Sequence, residues 1–411
     1  MPLDDDTAFC ADRILHSAQF VHDPETLFAP LRDRHPVCPV HTRSGTPVWL
    51  ISRDEGVRAL LGDDRLVMTG AYAAGASGTR NALDRNLLDL DGAEHAAIRR
   101  PAAGALSARA VERHHPAIRR IIASHAAQLP AARAPERPGA AASTELISAF
   151  IRPSMLASTC TVLGIPAADW ADVEQWVRAL LSPQAAAVDA DTALAALEPY
   201  LRRLVRQKTT VPQDDVVSAV LAAARDGGIA QDDIVSLCGM LVIAGFENTG
   251  RTLANAVHRL VTHRGEFARY ARAQPAERQA LLEDLIRLSL PEPLSSLRVV
   301  AHPVEIEGRV LDPGDKVMFA FGAANRDDRR YADPEALEPR PHARDHLSFG
   351  KGPHFCPGAA LARLQIAVAL GVLAERFDDI LPADGAGPPR WTGTYRHREL
   401  SRLDVVLVPS S

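Results

Sequence analysis

Phe349-Gly350-Lys351-Gly352-Pro353-His354-Phe355-Cys356-Pro357-Gly358 is the most informative stretch of this 411-residue sequence. Its glycines permit backbone conformations and close approaches that side chains forbid. An apolar, helix-forming run begins directly after it, at Ala359. We therefore expect Cys356 to lie just before a helix N-terminus, where the positive end of the helix dipole lowers the pKa of a thiol and favours thiolate.

A thiolate is a ligand for haem iron, to which it pushes electron density that promotes cleavage of an O–O bond. The alternative for a single cysteine is a buried structural residue in a glycine turn. The complete pattern around Cys356 favours the iron ligand over that alternative.

This loop resembles the haem-binding loop of the cytochrome P450 family. The resemblance implies that Cys356 is the proximal ligand of the iron in haem b. It also implies that Phe349 packs beside the sulfur and that His354 faces a haem propionate. Three glycines are implied to shape the turn and to let the next helix pass close to the porphyrin: Gly350, Gly352 and Gly358.

Other segments resemble the family in the same chain order. Residues 91–100 resemble an early haem-facing helix, on which His95 and Arg99 share one face because they are four residues apart. Their donors suit the carboxylates of the propionates. Arg298 begins a segment that resembles the strand giving an Arg to a propionate, and residues 325–327 resemble the segment that follows this region.

The family's Glu-x-x-Arg motif has the form Asp284-Leu285-Ile286-Arg287 in this chain. The spacing keeps the acid and the guanidinium on one helix face. We expect the ion pair to survive and to support the cysteine side of the haem, with a shorter reach to a third partner. Glu283 is not expected to replace Asp284, because adjacent residues point about 100° apart on an α-helix.

The sequence predicts one long central helix over residues 231–263, with an apolar middle that indicates burial. Within it, residues 244–249 resemble the family's oxygen-activating signature, which implies that Ala244 and Gly245 lie against the haem. Gly245 has two explanations, namely tight helix packing or the close approach of a flat group.

The family usually places an acid and then a Thr in this signature, and the Thr hydroxyl helps to relay protons. Here Asn248 takes the position of that Thr, and Thr249 is rotated away by one helical step. We expect Glu247, Asn248 and Thr249 to be the catalytic residues. Because an amide is a poorer relay than a hydroxyl, two alternatives stay open. Asn248 holds a water or substrate hydroxyl that completes the relay, or the proton route is weakened, which suits oxidative coupling or desaturation.

Most of the remaining pattern is helical, with two small β regions. One flanks the turn at Ser44-Gly45, and the other lies between Val304 and Phe319. We expect a mainly α fold with small β regions, namely the cytochrome P450 fold with haem between the central helix and the cysteine loop. We expect residues 1–411 to form a single domain, with surface loops at 129–143 and 182–190.

The resemblance implies a monooxygenase that uses O2 to oxidise a small organic substrate, with electrons from a ferredoxin-type donor. Hydroxylation or epoxidation of a secondary metabolite is the main hypothesis. Oxidative coupling or desaturation, a peroxide-driven reaction, and a non-catalytic haem-thiolate protein are the alternatives. Basic residues are expected to dock the acidic donor: Lys351, Arg363, Arg99 and Arg100. Five segments are expected to contact substrate: 67–86, 181–190, 243–246, 293–297 and 393–395.

Composition excludes several other classes. A net charge of −5 argues against an electrostatic nucleic-acid binder. The five cysteines are scattered without zinc-site or redox-motif spacing, so we expect no disulfide framework. The sequence lacks a signal-peptide pattern and a membrane-length apolar run, and we expect a cytoplasmic monomer that does not contact a membrane.

Overall fold

The computed structural model describes residues 11–68, 82–84, 86–130, 143–181, 188–225, 227–341, 343–383, 385 and 387–410. Most of the predicted loops at 129–143 and 182–190, namely residues 131–142 and 182–187, lies outside these residues. The helices are α1 (Ala11–Leu15), α2 (Ala18–His22), α3 (Glu25–Arg34), α4 (Asp54–Leu61), α5 (Gly92–Ala105), α6 (Ala108–Glu112), α7 (His115–Ala126), α8 (Arg152–Leu163), α9 (Trp170–Leu181), α10 (Ala190–Thr210), α11 (Val216–Ala224), α12 (Gln231–Gly245), α13 (Glu247–Thr262), α14 (Glu266–Arg272), α15 (Pro275–Leu288), α16 (Phe321–Ala324) and α17 (Ala359–Arg376).

The strands are short and belong to small sheets. They are β1 (Val37–His41), β2 (Pro47–Ile51), β3 (Leu66–Val67), β4 (Thr144–Glu145), β5 (Arg298–Val300), β6 (Val304–Ile306), β7 (Arg309–Leu311), β8 (Lys316–Phe319), β9 (Phe377–Pro382), β10 (Trp391–Gly393), β11 (Arg398–Leu400) and β12 (Asp404–Pro409). One five-stranded sheet has the order β1-β2-β8-β5-β3, and a three-stranded sheet has the order β4-β12-β9. The mainly α fold with small β regions is confirmed.

The five-stranded sheet fixes the start of β5 beside the site. Arg298 pairs with Val317 of β8, and Val299 pairs with Val67 of β3. The hairpin of β1 and β2 joins this sheet through parallel pairing of Trp49 with Val317. The first predicted β region is confirmed, since β1 and β2 flank the turn at Ser44-Gly45.

The central helix is two helices, not one. α12 ends at Gly245 and α13 begins at Glu247, with Phe246 between them at φ −107° and ψ −33°. The hydroxyl of Thr249 donates to the Gly245 carbonyl at 3.1 Å, on the far side of this break. A Cβ added at Gly245 would lie 2.9 Å from Cγ2 of Thr159 in α8. This contact supports tight helix packing as the reason for the glycine.

The break leaves both halves buried, as the apolar pattern predicted. α13 contacts α8, α12, α14, α15 and α17, and its apolar face includes Leu253, Ala256 and Val257 in the main core. α17 packs against α7 and α13 and begins directly after the cysteine loop. Among the described helices, none has the length and apolar composition needed to cross a membrane.

Candidate active site

A cavity of about 510 Å³ lies between the α12–α13 break and the cysteine loop. Most of the predicted site residues line it: Phe349, Gly350, His354, Cys356, Gly358, Arg298, Ala244, Gly245, Asn248 and Thr249. Three predicted residues are outside its wall. His95 packs against His354 at the edge of the cavity, Arg99 donates to the Phe355 carbonyl beside it, and Glu247 lines a different cavity. The fold therefore brings together residues from α12, α13, β5 and the loop before α17.

The cysteine loop depends on two glycines with positive φ. Gly350 has φ +68° and Gly352 has φ +76°. A Cβ at Gly352 would also lie 2.9 Å from the carbonyl oxygen of Leu61, so only glycine fits this turn without strain. The amide of Cys356 donates to the Phe349 carbonyl at 2.8 Å and closes the loop. Cys356 is thereby held two residues before Gly358, the N-cap residue of α17.

The expectation of a lowered pKa for Cys356 was wrong in its net direction. Burial raises the pKa of this thiol, and it outweighs a hydrogen bond from the Gly358 backbone and the charges of Arg99 and Arg363, which act the other way. The hydrogen bond from the Gly358 amide at the helix start acts in the expected direction, but burial outweighs it. A metal ion bound to the sulfur would deprotonate it outright.

Arg363 braces the loop from α17. Its guanidinium carbon lies 4.4 Å from the centre of the Phe349 ring, and its Nε donates to both carboxylate oxygens of Glu283 at 2.9 and 3.0 Å. Its side chain is only 17% exposed. The assignment of Arg363 to a docking surface was therefore wrong, because a buried pair with Glu283 occupies it.

Asp284 and Arg287 of α15 form a fully buried ion pair, with 2.6 Å between Oδ1 and Nε. Arg287 also donates to the carbonyls of Asn325 and Pro334 at 2.7 and 2.8 Å. The Asn325 side chain accepts from the amide of Leu347 at 2.7 Å, immediately before the cysteine loop. The motif therefore supports that loop, as predicted, although its acid is Asp.

The shorter Asp284 loses no partners. Its Oδ2 accepts from the Glu338 amide at 2.9 Å, and Nε of Arg340 lies 3.3 Å from its Oδ1. Glu283 points elsewhere, as expected, but it has a function that the sequence analysis missed. It lies 3.3 Å from Nε2 of His346 as well as pairing with Arg363, so it joins α15 to both ends of the cysteine loop.

Four donors cluster at one edge of the cavity. The rings of His95 and His354 lie 4.2 Å apart, and Arg99 donates to the Phe355 carbonyl. Arg298 is buried, and its charge acts on His354. Two buried nitrogens, Nε2 of His95 and Nδ1 of His354, have no hydrogen-bond partner among the described residues. Buried polar groups are rarely left unpaired, so this edge suits a ligand with acceptor oxygens.

Burial lowers the pKa of all four groups. For His354, burial and then the neighbouring His95 and Arg298 lower the pKa to about 4. For His95, burial and Arg99 act in the same direction. Burial also lowers the pKa of Arg99 and Arg298, but a guanidinium keeps its charge at neutral pH.

Asn248 is held at both ends of its amide. Its Nδ2 donates to Oε1 of Glu292 at 3.0 Å, and its Oδ1 accepts from Nη1 of Arg251 at 3.5 Å. His397 lies on the other side of Glu292, with 3.3 Å between its Nδ1 and the same Oε1. Asn248, Glu292 and His397 all line the large cavity.

Glu247 faces a second, water-sized cavity of about 30 Å³ on the other side of α13. Arg251 lies 3.5 Å from its Oε2, and its Oε1 has no partner among the described residues. Burial raises the pKa of Glu247, against the opposing charge of Arg251. Arg251 also donates to Glu399 at 3.0 Å, so a charged network separates this cavity from Asn248.

The predicted substrate segments are placed unevenly. Ile243 and the run Leu294–Ser296 line the large cavity, whereas residues 393–395 do not, and Arg396 and His397 line it instead. Of residues 67–86, positions 69–81 and 85 lie outside the described residues, and Met68, Leu83 and Asn86 contribute. Glu292 and His397 also line the cavity and were not among the predicted site residues. The available signal was a carboxylate between two prolines, directly after the helix of Asp284 and Arg287.

Comparison with known proteins supports the resemblance to the cytochrome P450 family. The family model described as "Cytochrome P450" matches residues 279–394. The 20-oxo-5-O-mycaminosyltylactone 23-monooxygenase of Streptomyces fradiae is 32% identical over 369 residues, covering 89% of this chain and 85% of that protein. The mycinamicin IV hydroxylase/epoxidase of Micromonospora griseorubida is 31% identical over 384 residues, covering 92% and 94%.

Solved structures agree as well. The ligand-free P450 monooxygenase TamI matches with a TM-score of 0.83 at 29% identity, covering 95% of this chain and 93% of that one. Members of this family use haem b. The residues present fit that group, because a sulfur at a helix start, a glycine-lined turn and orphaned donors for carboxylates surround one cavity. The chain belongs to the cytochrome P450 family of haem-containing monooxygenases.

Proposed function

We propose that the protein oxidises a small organic molecule of secondary metabolism, by hydroxylation or epoxidation. The observation that carries the proposal is Cys356, presented to a large cavity by a turn that only glycine permits. The names of the two relatives above support the substrate class, since one acts on a mycaminosyl tylactone and the other on mycinamicin IV.

In this proposal Cys356 ligates the haem iron, and the bound haem supplies the oxygen-activating chemistry. Arg298, His354, His95 and Arg99 would hold the propionates through their donors, while Ala244 and Gly245 belong to the wall of the cavity that would receive the porphyrin. In the net reaction, substrate, O2, two electrons and two protons give the hydroxylated product and water. The chain's own task is to position the substrate, exclude water and supply protons.

The proton route is proposed to involve Glu247, Asn248 and Thr249. Glu247 faces the small cavity, where burial raises its pKa against the opposing charge of Arg251. Thr249 is engaged with the Gly245 carbonyl and shapes the break between the helices. Asn248 lines the large cavity and bonds to Arg251, which lines the small one, and the hydrogen bonds at both ends of its amide favour the alternative of a weakened route.

Coupling, desaturation or another non-hydroxylating oxidation is therefore a second candidate outcome. Asn248→Thr tests it, because a hydroxyl restores the usual relay. We expect the variant to form more oxygenated product per electron consumed and to release less peroxide. An unchanged product spectrum and unchanged peroxide yield would contradict a special role for Asn248.

A ferredoxin-type donor is proposed to dock on the outer side of the cysteine loop. Lys351 and Arg100 are exposed there, and Phe355 presents an apolar ring that is 38% exposed. The rate of reduction should fall with rising salt if these charges guide docking. A rate that is independent of salt, or unchanged in Lys351→Ala, would contradict this surface. We further propose that residues 1–411 act as one domain and as a cytoplasmic monomer.

The first test is the absorption spectrum of the reduced holoprotein with carbon monoxide. A red-shifted Soret band is expected from a thiolate ligand. A band typical of histidine-ligated haem, or folded protein that takes up no haem, would overturn the proposal. Cys356→Ser provides the control, since it removes the thiolate and retains the shape of the loop.

A further inference from the structure

Glu292 places a carboxylate in the wall of the large cavity. Pro291 and Pro293 flank it and restrict its backbone. One oxygen, Oε1, is fixed by Asn248 Nδ2 at 3.0 Å and lies 3.3 Å from His397 Nδ1. No hydrogen bond to the second oxygen, Oε2, occurs within the described chain. One oxygen is therefore anchored while the other is left to the cavity.

The groups around Glu292 keep it ionised. Burial raises its pKa, but the neighbouring His397, the charge of Arg396 and the amide of Asn248 together hold the pKa below the usual value. The carboxylate lies near enough to Cys356 for its charge to act on the thiol. A charged proton acceptor thus stands in the same cavity as the sulfur.

O2 and hydrogen peroxide, the two possible oxidants, differ in the protons that they require from the protein. Activation of O2 requires protons from solvent, carried past α13 by a relay. Asn248 is a poor relay and is engaged at both ends of its amide. Hydrogen peroxide already carries its protons and electrons. It requires only that one proton move from one oxygen to the other, which a single fixed carboxylate can do.

We propose that Glu292 is the proton-transferring residue of the large cavity and that it enables the protein to use hydrogen peroxide as an oxidant. The inference rests on the proposed haem site and goes beyond it. Glu292 accepts a proton from one peroxide oxygen as the O–O bond breaks, and returns it to the leaving oxygen. That oxygen departs as water, the other oxygen is transferred to the substrate, and the carboxylate is regenerated. Peroxide is the two-electron oxidant and no further reductant is consumed.

The binding test uses cyanide and the ferric holoprotein. Hydrogen cyanide must lose its proton to bind haem iron, so a proton acceptor in the cavity strengthens binding and then donates a hydrogen bond to the ligand. We expect Glu292→Gln to raise the cyanide dissociation constant by about tenfold or more, as for loss of a charge-assisted hydrogen bond. Glu375→Gln makes the same chemical change at an exposed position of α17, where Glu375 pairs with Arg119. It serves as the matched control.

The activity test uses peroxide and methyl phenyl sulfide without any reductant. The wild-type protein is expected to form the sulfoxide, and Glu292→Gln to do so about 100-fold more slowly. Glu292→Asp keeps the carboxylate and is expected to lose much less. Equal cyanide affinity in wild type and Glu292→Gln would overturn the proposal, as would an equal loss in Glu375→Gln.

A wild-type measurement keeps the proposal testable even if Glu292→Gln fails to take up haem. Infrared difference spectra should show the C=O stretch of a newly protonated carboxyl group when cyanide binds. The lack of that band would overturn the proposal for Glu292. The proposed haem site would fail separately, through the absence of the thiolate-type carbon monoxide spectrum in the wild-type protein.

Discussion

The substitution Asp284→Asn tests the buried pair that supports the cysteine loop. It retains the shape of the side chain and an acceptor for the Glu338 amide, but it removes the charge that faces Arg287 at 2.6 Å and Arg340 at 3.3 Å. Removing one partner of a buried ion pair costs about 3–5 kcal/mol, because the other charge stays buried. Arg287 keeps its backbone carbonyl acceptors, so we expect the lower end, about 3 kcal/mol.

Urea unfolding followed by circular dichroism and by the Soret band measures this loss. With a denaturant dependence of about 3 kcal/mol per M, the midpoint should fall by about 1 M. The Soret change should shift at least as far, because Asn325 connects Arg287 to the start of the cysteine loop. Asp328→Asn is the control, since that side chain is 66% exposed. A loss below about 1 kcal/mol for Asp284→Asn would refute the structural role of the pair.

Three further predictions concern the loop, the donor cluster and pH. Gly352→Ala would place a methyl group 2.9 Å from the Leu61 carbonyl at φ +76°, so we expect about 1–3 kcal/mol of strain and a lower ratio of haem to protein. Arg298→Leu removes a charged donor, and haem should transfer to apomyoglobin about tenfold faster; an unchanged rate would exclude a propionate contact. For His258, burial, Arg398 and His263 lower the pKa to about 4, so the unfolded chain binds a proton near pH 6.5 that the native protein refuses. Stability should fall as the pH drops from about 6.5 to 4, and His258→Phe should reduce that slope.

The cysteine loop was predictable because its determinants are local. The glycines, the cysteine and the helix start occupy consecutive positions, and the closing bond from Cys356 to Phe349 spans only this segment. The ion pair of Asp284 and Arg287 was predictable for the same reason, since both residues share one helix face. Patterns of this kind determine the local structure without any distant partner.

Other features depend on distant partners and were not predictable. The apolar periodicity runs through Phe246 without interruption, and the reason for Gly245 lies in Thr159 of another helix. Arg363 has the charge of a surface residue, and its pairing with the buried Glu283 of α15 could not be inferred from its own segment. The partners of Glu292 are Asn248, which is 44 residues away in the sequence, and His397, which lies near the C-terminus.

The donor cluster at the cavity edge also determines how haem uptake affects the charge of the protein. Its two imidazoles have lowered pKa values, at about 4 for His354, so they are neutral at physiological pH. The positive charge of the cluster therefore resides on Arg99 and Arg298. These two charges face the two propionates of haem b, but the Asp91 carboxylate, 3.4 Å from His354, offsets one of them. Haem uptake therefore leaves excess negative charge at this edge, which raises the pKa values of the two imidazoles and favours proton uptake together with the cofactor.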